Sequence, residues 1–169
     1  MTLDEAIQTA LQYEGRVIAI YGDAMRRSQD PVGKKVFKTL KEDESSHARY
    51  LKEKLDELGK AGRVKPAKLA TAIPPASKIG AALKNHRGKT VSPAPEEELN
   101  LLRRALKVEI ETCEFYEKLA KELPPGERSL FERFVEIEEG HRAIVQAEID
   151  SISGSGFWFD IPEFRLEAE

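Results

Sequence analysis

Two stretches decide the fold. Phe37-Lys38-Thr39-Leu40-Lys41-Glu42-Asp43-Glu44-Ser45-Ser46-His47 recurs in pattern as Phe131-Glu132-Arg133-Phe134-Val135-Glu136-Ile137-Glu138-Glu139-Gly140-His141, at an offset of 94 residues. Phe37 maps on Phe131, Leu40 on Phe134, Glu44 on Glu138 and His47 on His141, and the register continues with Leu51 on Val145, Leu55 on Ile149 and Leu58 on Ile152. These positions recur at steps of three and four, the spacing of one helical face. Upstream of each stretch, an offset of 95 maps Ile7 on Leu102, Ala10 on Ala105, Leu11 on Leu106, Glu14 on Glu109 and Tyr21 on Tyr116. The chain is a duplicated helical hairpin.

Two such hairpins, each with one apolar stripe, bury those stripes only against each other. That predicts an all-α four-helix bundle roughly 40 Å long. The first stripe runs from Leu3 to Ala24. Asp30 is placed to cap a second helix that has Pro31 in its first turn, where the missing N–H costs nothing, and that closes at Gly59 after Leu58. A connection over 59–94 follows, broken by Pro66, Pro74, Pro75 and Pro93, with room for a short helix around Ser77 to Leu83. The third helix is expected from about Pro95 to Glu122, with Glu96, Glu97 and Glu98 at its positive end, and the fourth from about Glu127 to Ile152. The connection is long enough to span the bundle, so a long crossover is expected, with the second and third helices parallel. Residues 1–152 form this domain. The tail, 153–169, contains Phe157, Trp158, Phe159 and Phe164 and is too apolar to stand in water, so docking on its own bundle or on a second subunit is expected, the latter as a homodimer.

Composition sets limits on function. Among 169 residues, 30 acidic and 27 basic side chains leave a net charge of −3, without the basic excess that phosphate binding needs, so no nucleic-acid partner is expected. The absence of a long apolar run excludes a membrane-spanning helix, and Met1-Thr2-Leu3-Asp4-Glu5 lacks the order of a secretory signal, so a cytoplasmic location is expected. Cys113 is the single cysteine, which rules out an internal disulfide or a four-thiolate metal site; one turn from Glu109, it reads as a small core residue. His86, in the polar connection, reads as a surface histidine.

The chemistry lies in the polar residues of the stripes. Each hairpin places one glutamate on its first helix and a Glu-x-x-His on its second: Glu14 with Glu44 and His47, then Glu109 with Glu138 and His141. A lone Glu-x-x-His says little, since residues three apart pair on many solvated helices. Here both copies fall in register with the duplicated apolar stripe. Four carboxylates at one level of a dry bundle repel one another, and cations are the natural compensation. Two divalent ions neutralise the four charges, and one imidazole per ion completes an oxygen and nitrogen shell suited to iron or manganese, as a pair or mixed. Tyr21 and Tyr116 lie about two turns beyond Glu14 and Glu109 on the same faces, placed to hydrogen-bond the carboxylates or to donate an electron, or else to act as ordinary core aromatics.

On Glu14, Glu44-Ser45-Ser46-His47, Glu109 and Glu138-Glu139-Gly140-His141, supported by Tyr21 and Tyr116, residues 1–152 resemble the ferritin-like superfamily, most closely the rubrerythrin-like diiron proteins. The resemblance implies that Glu44 and Glu138 bridge two irons, that Glu14 with His47 holds one, and that Glu109 with His141 holds the other. Two departures stand out. The four-cysteine rubredoxin domain of full-length rubrerythrins is missing, and Thr112 stands where they carry an extra glutamate, leaving Glu111 or Glu114 as off-register substitutes. Three functions follow as expectations: reduction of hydrogen peroxide or dioxygen with an external electron donor, oxidation of ferrous iron, or a bundle whose metal is only a staple.

Overall fold

The structure, a computed structural model, describes residues 1–65, 67–84 and 95–162, with 81–84 described by backbone alone. Five helices follow in order: α1 (Leu3–Arg27), α2 (Pro31–Ala61), α3 (Ala76–Lys84), α4 (Glu96–Glu122) and α5 (Pro125–Ser155). The protein is all-helical among the described residues. Thr2 starts α1 through a reciprocal capping box with Glu5, and Asp30 starts α2 by accepting from the amides of Val32 and Gly33, with Pro31 in the first turn as expected.

Helix ends depart from the expected ones by a few residues. Gly59 does not close α2, which runs on to Ala61 and stops at Gly62, the residue in the left-handed conformation (φ +67°) that a helix terminus favours. The fourth long helix, α5, begins at Pro125 rather than Glu127, because proline fits a first turn, and it passes Ile152 to end at Gly156 (φ +78°).

Packing follows the repeat. Helix α1 pairs with α2, α4 with α5 and α1 with α4, while α3 lies on α5. Arg16 meets Glu111 and Asp23 meets Arg104, so α1 and α4 run antiparallel; Glu44 meets His141 and Tyr50 meets Phe134, so α2 and α5 do too. Helices α2 and α4 therefore run parallel, as the long crossover requires.

Two apolar cores result, one around Phe37, Leu40, Leu102 and Ile144, the other around Ile7, Leu51, Phe131 and Phe134. On every long helix the stripe passes from one core to the other through a polar residue: Glu14 on α1, Glu44 and His47 on α2, Glu109 on α4, Glu138 and His141 on α5.

The tail docks on its own chain. Phe159 and Ile161 enter the first core, Lys35 pairs with Asp160 at 2.7 Å, and the Trp158 ring covers Gly33 so closely that a Cβ there would lie 2.7 Å from it. Of the tail aromatics, Phe159 is buried and Trp158 half-buried by this contact, while Phe157 remains 56% exposed. His86 and Phe164 lie outside the described residues. No helix among those described is long and apolar enough to cross a membrane.

Candidate metal centre

The hairpin geometry brings all six expected ligands into one layer, every one of them fully buried. Glu44, His47, Glu138 and His141 each offer a ligand atom within 4.8 Å of the others, a group that can hold a metal ion. The two imidazoles stack with centroids 5.4 Å apart and planes inclined by 13°. Their Nδ1 atoms face the same carboxylates. His47 Nδ1 lies 3.0 Å from Glu44 and 3.7 Å from Glu138, and His141 Nδ1 lies 2.6 Å from Glu44 and 3.6 Å from Glu138. Glu14 stands 3.9 Å from His47 Nδ1.

The tyrosines work across the bundle rather than along their own helices. Tyr21 on α1 donates to Glu109 on α4, and Tyr116 on α4 donates to Glu14 on α1. Because 21 pairs with 116 and 14 with 109 in the repeat, the two bonds are related by the internal two-fold symmetry of the hairpins.

The remaining candidates fall elsewhere. Glu111 turns outward to Arg16 at 2.5 Å, and Glu114 is exposed, so neither joins the layer. Thr112 is buried with its hydroxyl donating to the Val108 carbonyl. Cys113 is a core side chain, its thiol pushed up to about 12 by burial and by the nearby Glu138 and Glu109 carboxylates.

Asp43 is a site residue that the repeat conceals. Its carboxylate lies 2.8 Å from His141 Nε2 and 3.6 Å from His47 Nε2, so it braces the edge of the rings turned away from the glutamates. It is itself held by the crossover, through the Thr71 hydroxyl at 2.6 Å and the Ala72 amide at 2.8 Å. Its repeat partner is Ile137, so internal symmetry predicts an apolar side chain there. The available signal is adjacency: Asp43 immediately precedes the Glu-x-x-His.

Electrostatics separate equivalent residues. Burial pushes the carboxyls of Glu14 and Glu109 well above the ordinary 4.5, and the Glu44 charge adds to this. Glu138 is raised for the same two reasons. Burial acts likewise on Glu44 but is outweighed by His141 and His47, which hold its carboxyl below the ordinary range. His141 is opposed by burial, yet Glu44, Glu138 and Asp43 raise it well above 6.5. A proton on His141 thus supplies positive charge between Glu44 and Asp43.

One imidazolium does not satisfy the layer. Among the described residues, Glu14 Oε2, Glu109 Oε2 and both oxygens of Glu138 are buried without a hydrogen-bond partner. Orphaned buried carboxylate oxygens cost several kcal/mol, of order 1–3 each, and ligation by a cation removes that cost. The donor set of oxygen and imidazole nitrogen fits such an ion. No protein-family model, no curated protein and no solved structure matches the chain, so the chemistry of this layer is read from its own geometry.

Proposed function

We propose that the chain is a ferritin-like dimetal carboxylate oxidoreductase of the rubrerythrin-like kind, which reduces hydrogen peroxide or dioxygen with electrons from an external donor. The observation behind this reading is the sealed layer of four glutamates and two histidines in which four carboxylate oxygens have no hydrogen-bond partner. Glu14 with His47 would hold one ion and Glu109 with His141 the other, with Glu44 and Glu138 shared. Iron suits this donor set, and manganese also does. A bound pair of redox-active ions supplies two electrons to an oxygen species.

The chain contributes orientation and exclusion of water. Tyr21 and Tyr116 fix the rotation of the Glu109 and Glu14 carboxylates, and Asp43 holds Nε2 of His141 so that Nδ1 stays turned to the cluster. The apolar cores above and below close the layer to bulk solvent.

Metal analysis of protein purified without added metal, followed by stopped-flow mixing of the reduced protein with each oxidant, tests this. Two ions per chain are expected, with steady turnover only when a rubredoxin-type donor is added. Ferrous ion acting as a multi-turnover reductant with accumulating ferric product would replace this reading with iron oxidation. Failure to react with either oxidant while metal is bound would leave the metal as a structural staple.

A further inference from the structure

The polar layer is closed unevenly. Of the four pairs of neighbouring long helices, α2 and α5 approach each other least, and the crossover covers the seam between them. Leu69 is buried in one apolar core and Ile73 in the other, so residues 70–72 pass over the seam at the level of the layer. Beneath this strap lies Asp43, held by the Thr71 hydroxyl and the Ala72 amide and itself 2.8 Å from His141. The six expected ligands are 0% exposed, whereas Asp43 retains 6%. Thr71 and Ala72 are only half-buried, so one thickness of chain separates this carboxylate from solvent.

A cavity of about 400 Å³ adjoins the strap, lined by Thr71, Ser77, Ile137 and Glu139, with Arg133 and Glu136 paired at 2.7 Å on its wall. Thr71 borders this cavity and also bonds Asp43, so oxygen donors succeed one another inward: the Glu139 carboxylate, the Thr71 hydroxyl, the Asp43 carboxylate. We propose that Thr71 and the Asp43 carboxylate beneath it form the port through which a divalent cation enters the layer, with the cavity as its vestibule. The port rests on the function proposed above only in that the layer binds metal.

A cation crossing either apolar core loses its water and gains no ligand, which makes those routes prohibitive. Along the seam each lost water is replaced by an oxygen donor, the ligand that hard divalent ions prefer. Entry needs the two hydrogen bonds between strap and Asp43 to open. The carboxylate exchanges the Thr71 hydroxyl for the ion, which then moves on to Glu138, whose oxygens have no hydrogen-bond partner. The repeat offers no second port of this kind, since the residue equivalent to Asp43 is the apolar Ile137.

A port sets a barrier and leaves the bound state alone, so obstructing it slows binding and release by the same factor and leaves the dissociation constant unchanged. Metal-free full chain mixed with cobaltous ion in a stopped-flow spectrometer tests this, ligand-field absorption reporting occupancy and excess chelator starting release. Ser77→Trp, which puts an indole into the vestibule, is expected to lower both rates by about tenfold or more, with stoichiometry and affinity as in the parent. Thr71→Val removes the hydroxyl that ties the strap to Asp43, at nearly constant volume, and is expected to raise both rates. Ser129→Trp, in a separate cavity of about 200 Å³ beside Tyr50 and Leu58, is expected to keep the parental rates. Circular dichroism establishes that each variant is folded. Parental rates in Ser77→Trp, a loss of affinity there in place of a matched fall in both rates, slower exchange in Thr71→Val, or slowing in Ser129→Trp would each overturn the port while leaving the metal reading intact. Failure of the parent to bind cobaltous ion would remove that reading and the port with it.

Discussion

Glu44 and Glu138 are equivalent in the repeat, yet replacing each by methionine should move stability in opposite directions in metal-free protein. Glu44 has both imidazoles within hydrogen-bond distance, at 3.0 Å and 2.6 Å, whereas both stand 3.6–3.7 Å from Glu138, neither of whose oxygens has a hydrogen-bond partner. Glu138→Met removes a buried acid that burial and Glu44 already disfavour as an anion, and it fills the space with an apolar chain of similar length. Exchanging a buried acid for a well-packed apolar group ranges from neutral to stabilising by up to about 4 kcal/mol, whereas removing one partner of a buried ion pair costs about 3–5 kcal/mol. At this chain length each kcal/mol moves the midpoint by about 2–4 °C, so Glu138→Met should melt several degrees above the parent and Glu44→Met well below it. With metal the order changes. An ion at a hundred times its dissociation constant adds about 2.7 kcal/mol to the parent, and both variants should lose most of that rise. Thermal unfolding in chelator, then in excess ferrous or manganous ion, reads both effects. Shifts of the same sign in chelator, or a full metal-dependent rise in Glu138→Met, would refute the reasoning.

Glu14, Glu109, Glu138 and His141 hold their protons more tightly in the fold than their ordinary values allow, so their contribution is complete below 4.5 for the carboxyls and 6.5 for the imidazole, and is lost as pH rises through the raised values. Asp43 and Glu44 are lowered and act oppositely, losing their contribution as pH falls. Between about pH 5 and about pH 8 the metal-free midpoint should fall while metal affinity rises, because binding must displace those protons; thermal unfolding in chelator across this range checks the sign. Glu98→Ala should cost about 2–3 kcal/mol with unchanged metal stoichiometry, since Glu98 accepts from the Ser28 hydroxyl and the amides of Gln29 and Asp30 at the α1–α2 turn; denaturant unfolding measures it. Truncation after Gly156 removes Phe159 and Ile161 from the core, each worth about 1.5–3 kcal/mol, and should lower stability without changing the molar mass by light scattering.

The helices and their partners were legible because burial imposes a period on the sequence. A glutamate recurring inside an apolar stripe is expensive unless compensated, so Glu14, Glu44, Glu109 and Glu138 stand out, and the matched spacing of His47 and His141 points to bound cations as the compensation. Helix ends were less legible. Gly59 and Gly62 both suit a terminus, and only Gly62 adopts the left-handed conformation that uses glycine's freedom. A glycine inside a helix costs about 1 kcal/mol, small enough for the packing of α2 to carry the helix past Gly59.

What the repeat concealed are the places where its symmetry breaks, and most of these trace to two segments that occur once. The crossover supplies Thr71 and Ala72 to hold Asp43, whose equivalent is Ile137, and it crosses α5 at Gly140, where a Cβ would lie 3.0 Å from the Pro74 carbonyl oxygen. Gly140 corresponds to Ser46, where the side chain has room and its hydroxyl donates to the Asp43 carbonyl. Glu98, equivalent to Leu3, is polar because it faces the turn joining α1 to α2, and Gly33 is small because Trp158 covers it. Duplication makes two half-sites with the same glutamates and histidine spacing, and contacts made by single-copy segments then give them different surroundings. Glu44 is fully hydrogen-bonded where Glu138 is not. A symmetric set of glutamates and histidines in an asymmetric frame lets Glu44 hold its charge between two imidazoles while burial and Glu44 oppose charge on Glu138, and only side-chain packing makes that difference visible.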